Sequence, residues 1–430
     1  MNSSIAPTLL ALGSAALLAA CSGSPTPSPT DAGPITDAGP IDGGYVDDGG
    51  PVAVQMNDVS ILFPLALDAG GADDLLKASS SGARGVLFPQ ALYDSVGHII
   101  GSSFDGGPLP GSTGDAHYDD LRVVAVRIDP CFASMDPDPH GVGCQNQLRL
   151  IIQEVRDEGD QGPDAFDSAL HVFYSLSRDE LLEIARSVVA LREASSGDAR
   201  LGGLQPHPLM VQQGLDGAFA EGVKSLILAH AGAQNLTRVT QFSGNLQIFE
   251  WAFKGDDVSD AVNLAYTPMV IPTLPDDATA QSFDNNFESG LGFQGRFAPE
   301  STDADDIAPL ASATETQAMD AGARQAAFDS LIRIENPTHH TPNTIDCVSC
   351  HTATPIEKFN LTPTYDLIET GNPNAFAPSN SVLNSEINPT YDPNNAFNLH
   401  AFSYVGENPG INQRTVNETA AIVGYLNTLP

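Results

Sequence analysis

The chain reads as an α+β N-terminal domain followed by a small, mainly α, loop-rich domain. Three observations predict this. Short apolar runs rich in β-branched residues continue to about residue 275, a polar and Gly-rich stretch follows them, and two helical patterns then flank an irregular segment rich in Asn and Pro. At 430 residues the chain is long enough for more than one core of ordinary size. Its 54 acidic against 18 basic side chains give a formal charge of −36, which speaks against direct nucleic-acid binding and against a polybasic grip on anionic lipid.

Residues 1–20 read as a signal peptide. The run from Ile5 to Ala20 is apolar, too short and too broken by Pro and Gly to span a membrane, and it ends in "LLAAC". It resembles the signal of bacterial lipoproteins: Leu18, Ala19 and Ala20 match the small-residue cleavage site, which implies lipidation of Cys21 as the first mature residue. One departure is the n-region, since the first Lys or Arg is Lys77. Ser22 is not an acidic retention signal, so the resemblance implies a cell-envelope protein anchored in the outer membrane of a Gram-negative bacterium. Residues 21–54 are mostly Pro, Gly, Ser, Thr and Asp, with "DAGPI" at 31–35 and again at 37–41. Such a segment has too little apolar surface for a core and reads as a disordered tether.

From 55 to 275 the strand candidates are "DVSILFPLAL", "LRVVAVRI", "QLRLIIQEV", "ALHVFYSL" and "NLQIFEWAF", each bounded by Gly, Pro or Asp. Two helices interrupt them. The first opens on a capping box, Ser177 with Glu180, and carries Leu181, Ile184, Ala185 and Val188 at helical spacing; the second runs from about Leu215 to Ala231. No enzyme family is evident in this region. Residues 276–314, polar and without clear period, read as a connecting segment. The last region, 315–430, begins with a helix from about Glu315 to Ile334, stopped by Asn336 and Pro337, and ends with a helix capped by Thr415 and Glu418.

Cysteine carries the chemical signal. With Cys21 assigned to lipid, the other four fall into two local pairs, Cys131 with Cys144 and Cys347 with Cys350. The first pair encloses Asp136, Asp138 and Gly141, which suggests a calcium loop; its twelfth position is Gln147 and two prolines stiffen it, so a disulfide-stapled loop is the better reading. Closing such a loop stabilises a fold by about 3 kcal/mol. The second pair runs into His351 as Cys-x-x-Cys-His. Two intervening residues let both thiols reach the vinyl groups on one porphyrin edge, and the next residue brings its imidazole under the iron. A zinc site using His351, His339 or His340, and a thiol-redox pair, are the rival readings.

The motif and its frame resemble a class I-like, monohaem c-type cytochrome: a helix before the motif, irregular chain after it, and a helix at the end. The resemblance implies one covalent haem c on Cys347 and Cys350 with His351 as proximal iron ligand. It departs from that class in having no Met after Met319, so His400, or alternatively His340 or His339, is expected as the distal ligand. His98, His117, His171, His207 and His230 stand alone and read as structural or exposed.

The implied function is one-electron transfer by an acidic envelope lipoprotein, with a redox partner for which a basic face is expected, membrane attachment through the N-terminal lipid, and no nucleic acid. An electron carrier is favoured over a catalyst. The rivals are a haem enzyme or gas sensor with an open sixth iron position, and a structural or binding lipoprotein with a zinc or accessory haem site. Negative charge is expected around the haem, lowering its potential.

Overall fold

The structure, a computed structural model, describes residues 52–65, 71–96, 118–131, 144–157, 163–197, 199–245, 250–285, 294–361, 365, 367, 371–388 and 398–430. The signal peptide, Cys21, most of the tether, His98, His117 and the acidic loop 132–143 lie outside the described residues. The first half contains α1 (Met56–Val59), β1 (Ser60–Leu62), β2 (Ser81–Gly82), β3 (Gly85–Val86), α2 (Gln90–Ser95), β4 (Leu121–Asp129), β5 (Asn146–Asp157), β6 (Pro163–Ala165) and β7 (Ser168–Leu176). Next come α3 (Arg178–Ser196), α4 (Pro208–Gln213), α5 (Ala218–His230), β8 (Leu236–Asn245), β9 (Glu250–Asp260), β10 (Ala265–Pro268), β11 (Ala280–Asn285) and β12 (Gly295–Ala298). The C-terminal part holds α6 (Ala313–Ala318), α7 (Ala321–Glu335), α8 (Cys347–Ile356), β13 (Phe402–Val405), β14 (Asn408–Ile411) and α9 (Gln413–Leu426).

Among the described residues ten strands make one antiparallel sheet, in the order β1-β4-β5-β7-β8-β9-β11-β12, with β6 beside β5 and β10 beside β9. Side chains alternate between its faces. On one face Ile61, Val126, Ile128 and Leu148 meet Ile184 and Val188 of α3 and Val223 and Ile227 of α5. The residues between them in sequence, Arg127 and Arg149 among them, turn to the other face, where Arg127 pairs with Glu418 of α9 at 3.0 Å. Both faces are therefore covered, which is why all nine residues of β4 are buried and why "LRVVAVRI" is an unbroken apolar run but for its arginines. The capping box is present at α3: Ser177 Oγ accepts from the Glu180 N–H at 3.2 Å and Glu180 Oε2 accepts from the Ser177 N–H at 2.8 Å.

Three elements differ from the sequence expectation. The segment 276–314, expected to be a connection, supplies β11 and β12, which extend the main sheet. Gln281, Ser282 and Asn285 are buried there beside Phe283, and their hydrogen bonds let polar residues occupy interior strand positions, which hides the period. The helix expected from 315 to 334 is two, because the chain breaks at Met319 and Asp320 restarts it by accepting from the Ala323 N–H at 2.8 Å. The last helix is capped by Asn412, whose Oδ1 accepts from the Thr415 N–H at 2.9 Å, while Glu418 is used by Arg127 instead of a cap.

Residues 49–430 form one compact unit, and its main buried apolar cluster runs from Val52 to Leu426, beside a small one of Met269, Ile271 and Leu274. The helical C-terminal segment lacks a separate core of its own. It lies on the sheet face that carries the arginines.

Candidate functional site

The Cys-x-x-Cys-His motif opens α8, and three elements hold its first turn. Asp346 caps the helix by accepting from the Ser349 N–H at 2.9 Å. Gln281 of β11 donates to the same carboxylate at 2.7 Å and accepts from the Val348 N–H at 2.9 Å. From the start of α9, Asn412 donates to the Cys350 carbonyl at 2.9 Å. These groups are buried, so the motif's backbone is fixed by β11 and by the start of the final helix.

Cys347, Cys350 and His351 all open on one cavity of about 210 Å³. The sheet builds its opposite wall from Arg149 of β5, Ala169, His171 and Phe173 of β7, and Arg238, Thr240 and Phe242 of β8. Phe253 of β9 and Met269 continue that wall. The His351 ring stacks on Phe242, with centroids 5.4 Å apart and planes 9° apart, and meets Phe253 at 5.0 Å. Its Nδ1 lies 2.7 Å from the Leu399 carbonyl; a carbonyl only accepts, so Nδ1 carries the proton and Nε2 keeps a free lone pair. Burial, with His400 nearby, lowers the His351 pKa to about 4 despite the Leu399 bond, so the ring is neutral at pH 7.

The thiols are in a different state from redox-active cysteines. Both are free; burial first, then the Asp346 carboxylate and Cys350, pushes Cys347 well above an ordinary thiol, and burial raises Cys350 to about 11. A thiol-redox pair needs an accessible thiolate. The zinc alternative lacks a ligand set: among the described residues no three His, Cys, Asp or Glu side chains gather as a metal site on their own.

Charge at the cavity is mixed: Asp129, Asp257 and Asp346 line it together with Arg149 and Arg238. Arg149 meets Asp129 at 2.7 Å, an ionic contact off hydrogen-bond geometry, and lies 4.8 Å from the Phe173 ring centre. Arg238 donates to Asp257 at 2.6 Å. Behind them Arg127 and Arg414 flank Glu418, and although burial opposes ionisation the two arginines and Arg149 hold its pKa down to about 2.

The three histidines expected as distal ligands stand outside the cavity lining, with His400 edge-on to Phe242 at 4.7 Å. His400 is 1% exposed and both ring nitrogens are engaged, Nε2 with Asp167 Oδ1 at 2.8 Å and Nδ1 with Ser403 Oγ. His340 is likewise held between Asp305 Oδ2 at 2.8 Å and the Thr344 carbonyl at 3.1 Å, and His339 is exposed. None of the three lines the cavity. Cys131 and Cys144 are joined in a disulfide, their Cα atoms 5.3 Å apart.

Sequence reasoning read His171 as structural or exposed and passed over Arg149, Arg238 and Met269, all of which line the cavity. The signal was faint but present: the period of "ALHVFYSL" places Ala169, His171 and Phe173 on one face, so a histidine stands where an apolar side chain is expected. Burial, reinforced by Arg149 and His351, lowers the pKa of His171 far below its ordinary value. Of the other lone histidines, His207 is fully buried against Phe219, with ring centres 4.2 Å apart. No family model, curated protein or solved structure matches the chain.

Proposed function

We propose that the chain binds one haem c covalently and transfers single electrons at the cell envelope. The observation that carries this reading is the convergence of two free thiols and the bare Nε2 of a neutral histidine on one cavity with an aromatic wall. Cys347 and Cys350 would hold the group through thioethers, and His351 would ligate its iron from Nε2. The Leu399 carbonyl orients that ring and raises its basicity through Nδ1. Arg149 and Arg238 stand on the facing wall as partners for carboxylate groups. Haem supplies the one-electron chemistry, and the chain supplies ligation, burial and local charge.

At about 210 Å³ the cavity is smaller than the ~300–1,000 Å³ usual for small-molecule sites, so a macrocycle held by these thiols would keep an edge towards solvent. An exposed edge suits electron exchange with a second protein. A formal charge of −36 favours a partner with a basic face. The lipobox supports attachment to the outer membrane through lipid on Cys21, with residues 21–54 as tether. No helix among the described residues is long and apolar enough to cross a membrane.

The test is a pyridine haemochrome spectrum on protein matured in a host with c-type cytochrome assembly. The expected result is a c-type spectrum that persists after acid-acetone extraction of the denatured protein. Haem that is extracted, or zinc at equimolar amount in place of iron, overturns the reading.

A further inference from the structure

His171 has no hydrogen-bond partner among the described residues to account for its position. It sits at the centre of β7, opposite Thr240 of β8, which in turn lies opposite Gly255 of β9. Across these three strands it is the one long polar side chain at that level. One row along, Ala169 lies opposite Phe242, the ring on which His351 stacks. His171 and His351 thus reach the same cavity, the first from the sheet and the second from α8. His171 is only partly buried, and its ring faces the cavity rather than a protein partner, so it stands free to meet a group bound there.

We propose that His171 is the second axial ligand, so that the large sheet closes the iron site opened by His351; this rests on the haem reading above. The other side chains in reach have occupations that explain them. His400 and His340 each use both ring nitrogens on protein partners. The Met269 thioether packs over Gly255, where an added Cβ would stand 3.2 Å from its Sδ, in a cluster with Ile271 and Leu274. A histidine on each side of the iron makes the site six-coordinate and low-spin. It leaves no open position for a gas or a peroxide, and it ties the sheet to the helical segment through the metal.

The experiment uses full-length protein with covalent haem verified by its haemochrome, so that missing thioethers count against the haem reading and the spin state alone judges His171. In the ferric wild type, visible and paramagnetic-resonance spectra show low-spin haem. His171→Ala turns it high-spin while the thioethers remain, and added imidazole restores the low-spin spectrum. A low-spin spectrum unchanged in His171→Ala overturns the proposal, as does a high-spin wild type or a spectrum that responds to Met269→Leu and not to His171→Ala. Should His171→Ala fail to accumulate, His171→Met keeps a ligand and most of the volume; its reduction potential rises if position 171 ligates the iron, and an unchanged potential overturns the assignment.

Discussion

Glu418 shows how one buried charge can be favourable at pH 7 and a liability in acid. Burial works against the carboxylate, yet Arg127, Arg414 and Arg149 win and hold its pKa down to about 2 from an ordinary 4.5. A depressed folded-state pKa contributes stability that is complete above the unfolded value and is lost as pH falls from about 4.5 to about 2, of the order of 3 kcal/mol in all. Glu418→Gln leaves Arg127 with Asp129, 3.6 Å away, as its remaining carboxylate, so it lowers stability at pH 7 by about 1–3 kcal/mol and flattens the loss between pH 5 and pH 2. Urea unfolding at several pH values measures both, and an unaltered slope in the variant contradicts the assignment. Gln281 is a second such residue. Its amide donates to Asp346 and accepts from the Val348 N–H, so Gln281→Ala strands the Val348 N–H at about 1–3 kcal/mol, leaves Asp346 with the Ser349 N–H alone, and loosens the turn that presents Cys347. Faster hydrogen exchange at Val348 than at residues of β4 is the expected signature.

At the scale of elements, close approach and cross-linking decide the outcome. The β2–β3 hairpin docks on the end of α5 through Gly82, where a Cβ would lie 1.9 Å from the Leu228 carbonyl oxygen. Backbone cannot retreat as a side chain can, so Gly82→Ala pushes the hairpin off and costs at least ~1–3 kcal/mol by thermal or urea unfolding. At the other end of the sheet the Cys131–Cys144 disulfide closes a loop of sequence separation 13 between β4 and β5. Replacing both cysteines by Ser removes about 3 kcal/mol in the chain-entropy account, with no effect on haem attachment. A double variant as stable as the parent shows that the bond constrains nothing in the unfolded chain. The α3 capping box was legible in advance because Ser177 and Glu180 act only on the local backbone; the last helix was misread at its start because Glu418, equally well spaced, found a stronger partner in Arg127 across the molecule.

For the whole molecule the continuity of the core matters most. Residues 315–430 take their buried surface from the sheet: His351 stacks on Phe242, Ser60 Oγ meets Thr419 Oγ1 at 2.8 Å, and the Gln153 side chain joins both the N–H and carbonyl of Tyr404. The fragment 315–430 expressed alone therefore gives no cooperative unfolding transition, whereas residues 49–430 unfold in a single one. A fragment that folds cooperatively and takes up haem contradicts this and restores an independent haem domain.

Sequence by itself determined what depends on near neighbours. The mixed α and β content, the apolar runs of β4, β5 and β7, the first capping box, the pairing of Cys131 with Cys144 and the Cys-x-x-Cys-His motif all rest on residues close together along the chain. Only the tertiary structure decided which side chains meet that motif. Gln281 is 65 positions from Asp346 and Asp167 is 233 from His400, and no local pattern encodes such pairings. His400 was the expected ligand by chain order, and Asp167 and Ser403 meet its nitrogens; His171 was read as a lone structural or exposed histidine, and the register of β7 with β8 carries it to the cavity wall. The physical reason is that a strand's face is fixed by its period, while what lies opposite that face is fixed by the packing of distant segments against it.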